Sequence, residues 1–471
     1  VIMKSSNLIA ARRPGWIFDL GLQPHLVFLI LGGLFGLIWL VVTPPFQAPD
    51  ENMHFFRSYQ ISEGQFFPEK VQGLTGGYLA KSLVETIEQV NPGLKFHSKD
   101  QRQDLDKLKY YLKLPLNPGD RVFHSFPASA VYPPTGYLPQ VGGIVIARWF
   151  GGSPLWLMYA GRLCDLIFYL VVIGLALKLL PGGRWLMTAI ALLPMNIFLA
   201  GSLNQDGVIN ALVYFLIAYL LHLAQRPGPL TFRQYALVFV LVFLASFSKP
   251  VFAILSLLFF LLPRRKFLKT EQYYLAFAVL FTAGYAVSLL WNTAVVTDLN
   301  WYKPWSNFEE QVALVKANPL IFISAALRSL WTFKGFYIKS FIGTLGWLDT
   351  VLPFTTVILP FLLILMVLAV FEGHLKLTIA NRLIMAMVAL AILGQSLLSQ
   401  YLVASPVAAP YVHGFQGRYM LAAAPLALFI CQQRRWQMKE KGERIVFALV
   451  SAIMLLSLIQ STLVLWGRYY G

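Results

Sequence analysis

The feature that most constrains this chain is a series of about eleven apolar runs, at about 24–43, 155–179, 185–200, 206–224, 234–249, 251–262, 273–296, 354–371, 380–403, 417–432 and 445–466. About twenty consecutive apolar residues carry a helix across a bilayer. Inside hydrocarbon every backbone N–H and C=O must find its partner within the protein, and a helix supplies it locally. The runs therefore predict an all-α polytopic membrane protein of about eleven transmembrane helices. Run 251–262 is short and follows Pro250, which either splits one long helix or separates two short ones.

The charges predict an orientation. Of 471 residues 57% are hydrophobic and 13% charged, with a net charge of +17. No cluster interleaves basic and aromatic residues as a nucleic-acid surface would. The basic residues fall instead in short connections, as cytoplasmic loops require: Arg184, Arg226, Arg233, Arg264, Arg265, Lys266, Lys269, Lys376, Arg382, Arg434, Arg435, Lys439, Lys441 and Arg444. Lys4, Arg12 and Arg13 precede run 24–43, which is too long for a signal-peptide core and reads as an uncleaved helix entering from the cytoplasm. A consistent alternation requires segment 136–150 to lie along the outer surface rather than cross. The alternative lets it cross and fuses 234–262. Cys164 and Cys431 both sit inside apolar runs, so neither a disulfide framework nor a cysteine metal site is expected.

This topology makes 1–471 a single transmembrane domain with outward loops at 44–154, 297–353 and 404–416. The first is far longer than a connection needs, and long loops are usually functional. In it, Glu51 to Ser62 predicts an amphipathic helix with Asp50 as its cap, and Met53, Phe56, Tyr59 and Ile61 form a side suited to the membrane interface. Residues 99–113 predict a charged, solvated helix.

Several residues can carry chemistry. Asp50 and Glu51 follow a proline-rich turn at the end of the first run; a partly desolvated carboxylate there suits a general base, and it suits a helix cap equally well. His54 and Arg57 lie one turn further, where a local ion pair is the simpler reading. Tyr132 opens a Tyr-Pro-Pro-Thr-Gly-Tyr turn ending at Tyr137. Asn204, Gln205 and Asp206 open run 206–224, where capping is the commoner role, although an acid at membrane depth is a functional candidate. Arg162 and Asp165, three apart in a span, are expected to pair with each other. Lys249, and Arg418 after Gly414-Phe415-Gln416-Gly417, are cations at outer helix ends, able to hold a phosphate or to snorkel. No histidine pair has the spacing of a zinc helix, and no Walker, dinucleotide or serine-elbow motif occurs.

The stretches 44–62, Tyr132-Pro133-Pro134, Ser202-Leu203-Asn204-Gln205-Asp206, Ser248-Lys249-Pro250 and Gln416-Gly417-Arg418-Tyr419 together resemble the bacterial membrane-protein family known as domain of unknown function 2142. More broadly the order of motifs is similar to the glycosyltransferase C (GT-C) superfamily, including lipid A aminoarabinose transferases and protein O-mannosyltransferases. Tyr132 stands where those enzymes carry a lysine, and the glycine between lysine and proline is missing at 249–250, which moves the expected phosphate contacts toward Arg418 or Lys249. The resemblance implies a GT-C-like fold with juxtamembrane helices in the first loop, located in the bacterial cytoplasmic membrane. It also implies sugar transfer from a polyprenyl-phosphate donor to a glycan, lipid or protein acceptor on the outer face, with inversion. Asp50 would be the base, with Glu51 beside it. His54, Arg57, Tyr132, Asn204, Asp206, Lys249, Gln416 and Arg418 would contact substrate. Any divalent cation would fall to Asp50, Glu51 or Asp206. A transporter or flippase of a lipid-linked or polar solute, and a non-catalytic partner in an envelope assembly, are the competing classes.

Overall fold

The structure, a computed structural model, describes residues 23–95, 100–296, 305–373, 375–433 and 440–471. Lys4, Arg12, Arg13, Lys99, Arg434, Arg435 and Lys439, on which part of the predicted orientation and one helix start rest, lie outside the described residues.

Helix α1 (Pro24–Val42) starts on a proline, whose missing N–H is harmless in a first turn. Its 19 residues rise about 28 Å, close to the thickness of the hydrocarbon core. Val27, Phe28, Leu31, Phe35 and Trp39 are buried, while Ile30, Leu34, Leu37 and Val41 face outward as an apolar stripe fit for lipid. The buried side also carries Gly32 and Gly36, the small-residue spacing that lets membrane helices approach closely. A Cβ at Gly36 would sit 2.5 Å from Leu166.

The first loop folds on itself. It contains α2 (Glu51–Ser62), β1 (Glu69–Val71), β2 (Leu74–Ala80), α3 (Lys81–Val90), α4 (Leu105–Lys113), β3 (Arg121–Ser125), α5 (Pro127–Ala130) and α6 (Leu138–Trp149). The strands form an antiparallel sheet in the order β1-β2-β3, with Gly76 opposite Ser125 and Ala80 opposite Arg121. Phe55, Phe56, Tyr59, Leu79, Leu83, Phe126 and Ile144 share a core separate from that of the bundle. This corrects two expectations. The apolar side of α2 is covered by the loop's own sheet and helices rather than laid on lipid, and the fold is not all-α. The charged helix spans Leu105–Lys113 rather than 99–113, because the Asp104 carboxylate accepts the N–H groups of Asp106 and Lys107, each at 2.9 Å, and so fixes its start.

Helix α6 is about 18 Å long, too short to cross a bilayer. It forms a hairpin with α7 (Pro154–Leu179), and Gly143 allows the close approach, since a Cβ there would lie 2.3 Å from the Ala160 carbonyl. Then follow α8 (Arg184–Ala191), α9 (Pro194–Ala200), the central α10 (Asp206–Gln225), α11 (Phe232–Ser248), a 3-10 helix (Pro250–Leu261) and α12 (Thr270–Trp291). The second outer region holds α13 (Phe308–Ala317), α14 (Pro319–Thr332), α15 (Lys334–Ile342) and the hairpin of β4 (Thr344–Leu345) with β5 (Thr350–Val351). Helices α16 (Leu359–Phe371), α17 (Ile379–Ala404), α18 (Ala424–Phe429) and α19 (Glu440–Tyr469) complete the chain.

The expected eleven spans become seven helices long and apolar enough to cross a membrane among the described residues, or eight if the α13–α14 pair, bent by 104°, is one. Four expected runs fall short for identifiable reasons. Pro194 breaks 185–200 into α8 and α9. Run 417–432 is divided between a 3-10 turn (Gly417–Met420) and α18. Pro250 divides 234–262 into α11 and the 3-10 helix. That 3-10 helix rises about 2.0 Å per residue, so its 12 residues extend about 24 Å and return the chain from Lys249 to Lys266. At Lys266 the ammonium binds the carbonyl of Arg226, which follows α10.

Candidate functional site

The end of α1, the start of α2, the start of α10, the α11–3-10 junction and the turn at 417–420 meet at one end of the bundle. Hydrogen bonds between otherwise distant motifs fix this convergence. Ser248 Oγ donates to Thr135 Oγ1 at 3.1 Å, which joins Ser-Lys-Pro to Tyr-Pro-Pro-Thr. Trp291 Nε1 donates to the Val131 carbonyl at 2.8 Å. Gly417 N donates to Ser340 Oγ at 2.8 Å, docking the Gln-Gly-Arg-Tyr turn on α15. A Cβ at Gly417 would lie 1.9 Å from the Tyr337 carbonyl, so only glycine fits there.

The two adjacent acids have opposite fates. Glu51 is fully buried and holds Arg162 in a two-pronged pair, Nε to Oε1 at 2.7 Å and Nη2 to Oε2 at 2.6 Å. Arg162 also donates to the carbonyls of Leu40 (2.9 Å), Thr43 (2.8 Å) and Pro44 (3.0 Å), and Glu51 accepts Leu203 N–H at 3.0 Å. One buried pair thus ties the end of α1 to α2, α7 and the approach to α10. This corrects the expected Arg162–Asp165 pair: Arg162 reaches across the fold to Glu51, whose carboxylate is turned away from solvent. Asp50 is exposed and its side chain makes no capping bond, which removes the simple cap reading. Its backbone is left-handed (φ +59°), a costly conformation for a non-glycine residue and one that collects at functional sites.

Asp206 lies at the centre of the cationic half. Lys249 Nζ is 2.5 Å from its Oδ1 and Arg418 Nη1 is 3.9 Å from its Oδ2. Asn204, one residue before the Gln205 cap of α10, holds the helix start, its Oδ1 accepting Asp206 N–H at 2.7 Å and Gly207 N–H at 3.2 Å, and it is buried. Lys249 stands 5.7 Å from the centre of the Tyr132 ring, and Tyr132 stacks on His54 at 6.3 Å. His54 Nδ1 is 2.8 Å from Tyr137 Oη. These contacts form a continuous row from Asp206 through Lys249, Tyr132 and His54 to within one turn of Asp50.

Burial pushes the His54 pKa down to about 4, helped by Lys249 and Arg418 and opposed by Asp50 and Asp206, so the imidazole is neutral at pH 7. Burial also works against the Lys249 and Arg418 charges, but Asp206 with Tyr132 raises the first and Tyr419 with Asp206 raises the second, so each stays above its usual value. The Asp50 charge contributes to Arg418 as well, which links the acid to the cationic half.

Arg57 and Gln416 stand apart from the row in role. Arg57 is fully buried and spends its guanidinium on the carbonyls of Tyr132 (3.2 Å) and Phe66 (2.8 Å) and on Gln60 Oε1 (2.6 Å), so it shapes the site from beneath. Gln416 precedes the 3-10 turn, and its buried Oε1 has no hydrogen-bond donor. Sequence reasoning missed two residues beside Asp50. Lys95 lies 3.9 Å from the centre of the Trp347 ring and feels the Asp50 charge, while Trp347 Nε1 donates to the Phe46 carbonyl at 2.9 Å. The tight Gly346-Trp347 hairpin was the available signal. Among the described residues no group of three or more His, Cys, Asp or Glu side chains is placed to hold a metal ion, and Glu51 is already committed to Arg162.

Neither a curated protein nor a solved structure matches this chain. A family model described as "Predicted membrane protein (DUF2142)" matches residues 33–429, a span that contains every residue of the row from Asp50 to Arg418. The chain therefore belongs to the DUF2142 family of membrane proteins.

Proposed function

We propose that the protein is a GT-C-type glycosyltransferase that moves a sugar from a polyprenyl-phosphate donor to a glycan, lipid or protein acceptor on the outer face of the bacterial cytoplasmic membrane. The observation that carries this reading is the division of the site: one exposed, unpaired-by-capping acid at Asp50, and two cations, Lys249 and Arg418, flanking Asp206. An acid to take a proton and cations to receive an anionic leaving group are what this displacement needs.

Asp50 accepts the proton of the acceptor hydroxyl as that oxygen bonds to the anomeric carbon. The bond from that carbon to the phosphate oxygen breaks, and its electron pair leaves with the phosphate. Lys249 and Arg418 stabilise the growing charge, with Asp206 holding both cations in place until the phosphate arrives. Attack opposite the leaving group inverts the anomeric centre, as in inverting glycosidases. Neutral His54, positioned by Tyr137 and Tyr132, offers its remaining ring nitrogen to a substrate hydroxyl. A seat at the headgroup level suits a lipid-borne phosphate. The short basic connections at the opposite end of the bundle, such as Arg226 with Lys266, favour that end as cytoplasmic.

The test is Asp50→Asn in membranes supplied with polyprenyl-phosphate sugars. Loss of the proton acceptor is expected to lower transfer by about a hundredfold or more, with expression and thermal unfolding unchanged. Transfer near the wild-type rate removes Asp50 as the base. Solute flux in proteoliposomes without any sugar transfer replaces the enzyme reading with a transporter.

A further inference from the structure

A cleft of about 700 Å³ opens at the far end of α2 from Asp50, outside the row of residues described above. Glu63, Gln65, Arg121, Arg148 and Trp149 line it. Arg121 is held by Glu63 through two bonds (3.1 and 2.6 Å) and by the Tyr78 carbonyl (2.6 Å). Arg148 reaches the Ser62 carbonyl at 3.2 Å and stands 3.6 Å from Glu63. The charged wall is therefore fixed before any ligand arrives, which lowers the entropic cost of binding. Gln65 Oε1 has no hydrogen-bond donor. At the rim Trp149 is 79% exposed, with Phe150 beside it at 85%.

The cleft lies toward the α6–α7 hairpin tip. Arg162 binds carbonyls at the end of α1, and α7 begins eight residues earlier at Pro154. The α6–α7 hairpin tip thus stands about 12 Å past the end of α1 along α7.

We infer that this cleft binds carbohydrate, with Trp149 as the stacking platform and the Gln65 amide and the two guanidinium groups fixed by the covered Glu63 as hydroxyl and carboxylate partners. A flat exposed ring suits the C–H face of a sugar, and planar, pinned side chains suit pairs of neighbouring hydroxyls. Two arginines against one carboxylate leave a net positive wall, which favours a glycan carrying acidic groups. The cleft is joined to Asp50 by the length of α2, about 18 Å, a distance that a short oligosaccharide spans. Its role as an acceptor subsite rests on the transferase reading; carbohydrate binding itself does not.

The experiment measures binding to the full chain in nanodiscs by saturation-transfer NMR and calorimetry, with a neutral hexasaccharide, a uronate-containing hexasaccharide and inorganic phosphate as probes. The uronate probe is expected to bind, with Trp149→Ala weakening it about tenfold and Gln65→Leu weakening it less. Trp156→Ala, an exposed control outside the cleft, is expected to leave binding unchanged. No binding of either hexasaccharide, equal effects of Trp149→Ala and Trp156→Ala, or displacement by phosphate alone overturns the inference. Because no transfer is measured, failure here leaves the proposed reaction standing, and failure of Asp50→Asn to stop transfer leaves the cleft standing.

Discussion

Glu51→Gln separates a structural acid from a catalytic one. The substitution keeps the shape of the side chain and removes its charge, leaving Arg162 positive and fully buried. Each Glu51 oxygen now accepts from the guanidinium, Oε1 from Nε and Oε2 from Nη2. Oε1 accepts Leu203 N–H as well. An amide must turn its NH₂ toward one of these donors, so at least one bond becomes a donor–donor clash. Removing one partner of a buried pair costs about 3–5 kcal/mol. The three carbonyls that still cover Arg162 place this case near the lower end, about 3 kcal/mol, or about a hundredfold in the folded-to-unfolded ratio. The assay is unfolding of the purified protein by SDS titration in mixed micelles, beside sugar transfer by the fraction that stays folded. The double variant Glu51→Leu with Arg162→Met removes both charges together and is expected to be more stable than Glu51→Gln alone. An unchanged unfolding midpoint with transfer abolished refutes the structural assignment and returns Glu51 to the reaction.

Two further outcomes follow from the same geometry. Gly417→Ala drives a Cβ to 1.9 Å from the Tyr337 carbonyl and 2.7 Å from Phe341 N, both backbone atoms; a destabilisation of at least about 1–3 kcal/mol is expected, with Arg418 displaced and the proposed sugar transfer lost, and a wild-type melt contradicts it. His54 has its folded pKa lowered to about 4 from an ordinary 6.5. Below pH 6.5 the unfolded chain therefore takes up a proton that the folded one refuses, and stability from this group is full above 6.5 and is lost as pH falls to about 4. His54→Gln should flatten that part of the stability profile relative to wild type, and parallel profiles for the two proteins count against a neutral, half-buried imidazole.

Much of the architecture was legible because hydropathy reports membrane burial directly. The runs at 24–43, 155–179 and 206–224 became α1, α7 and α10 with ends displaced by a few residues. The tyrosine-proline, lysine and arginine motifs that the resemblance singled out lie beside one another and beside Asp206 in the structure. Hydropathy could not tell how a proline would divide a run, so 185–200 became two short helices and 251–262 a stretched 3-10 segment. Helical spacing pairs neighbours only. It matched Arg162 with Asp165, whereas the better partner, Glu51, lies 111 positions away and is brought in by the turn at the end of α1. The sheet in the first loop was missed because β1 and β3 are short, β2 carries Gly76 and Gly77, and the burial of β2 does not alternate along the strand. Asp50 was readable as chemistry, but its left-handed backbone and lack of a capping bond required the structure.

The most direct measurement of the central claim is a structure of the protein in nanodiscs with polyprenyl phosphate bound. Phosphate oxygens are expected within about 4 Å of Lys249 Nζ and the Arg418 guanidinium, with Asp206 released from at least one of them and Asp50 facing the same space. A phosphate seated elsewhere, with the Asp206–Lys249 pair intact and Asp50 remote from the lipid headgroup, contradicts it.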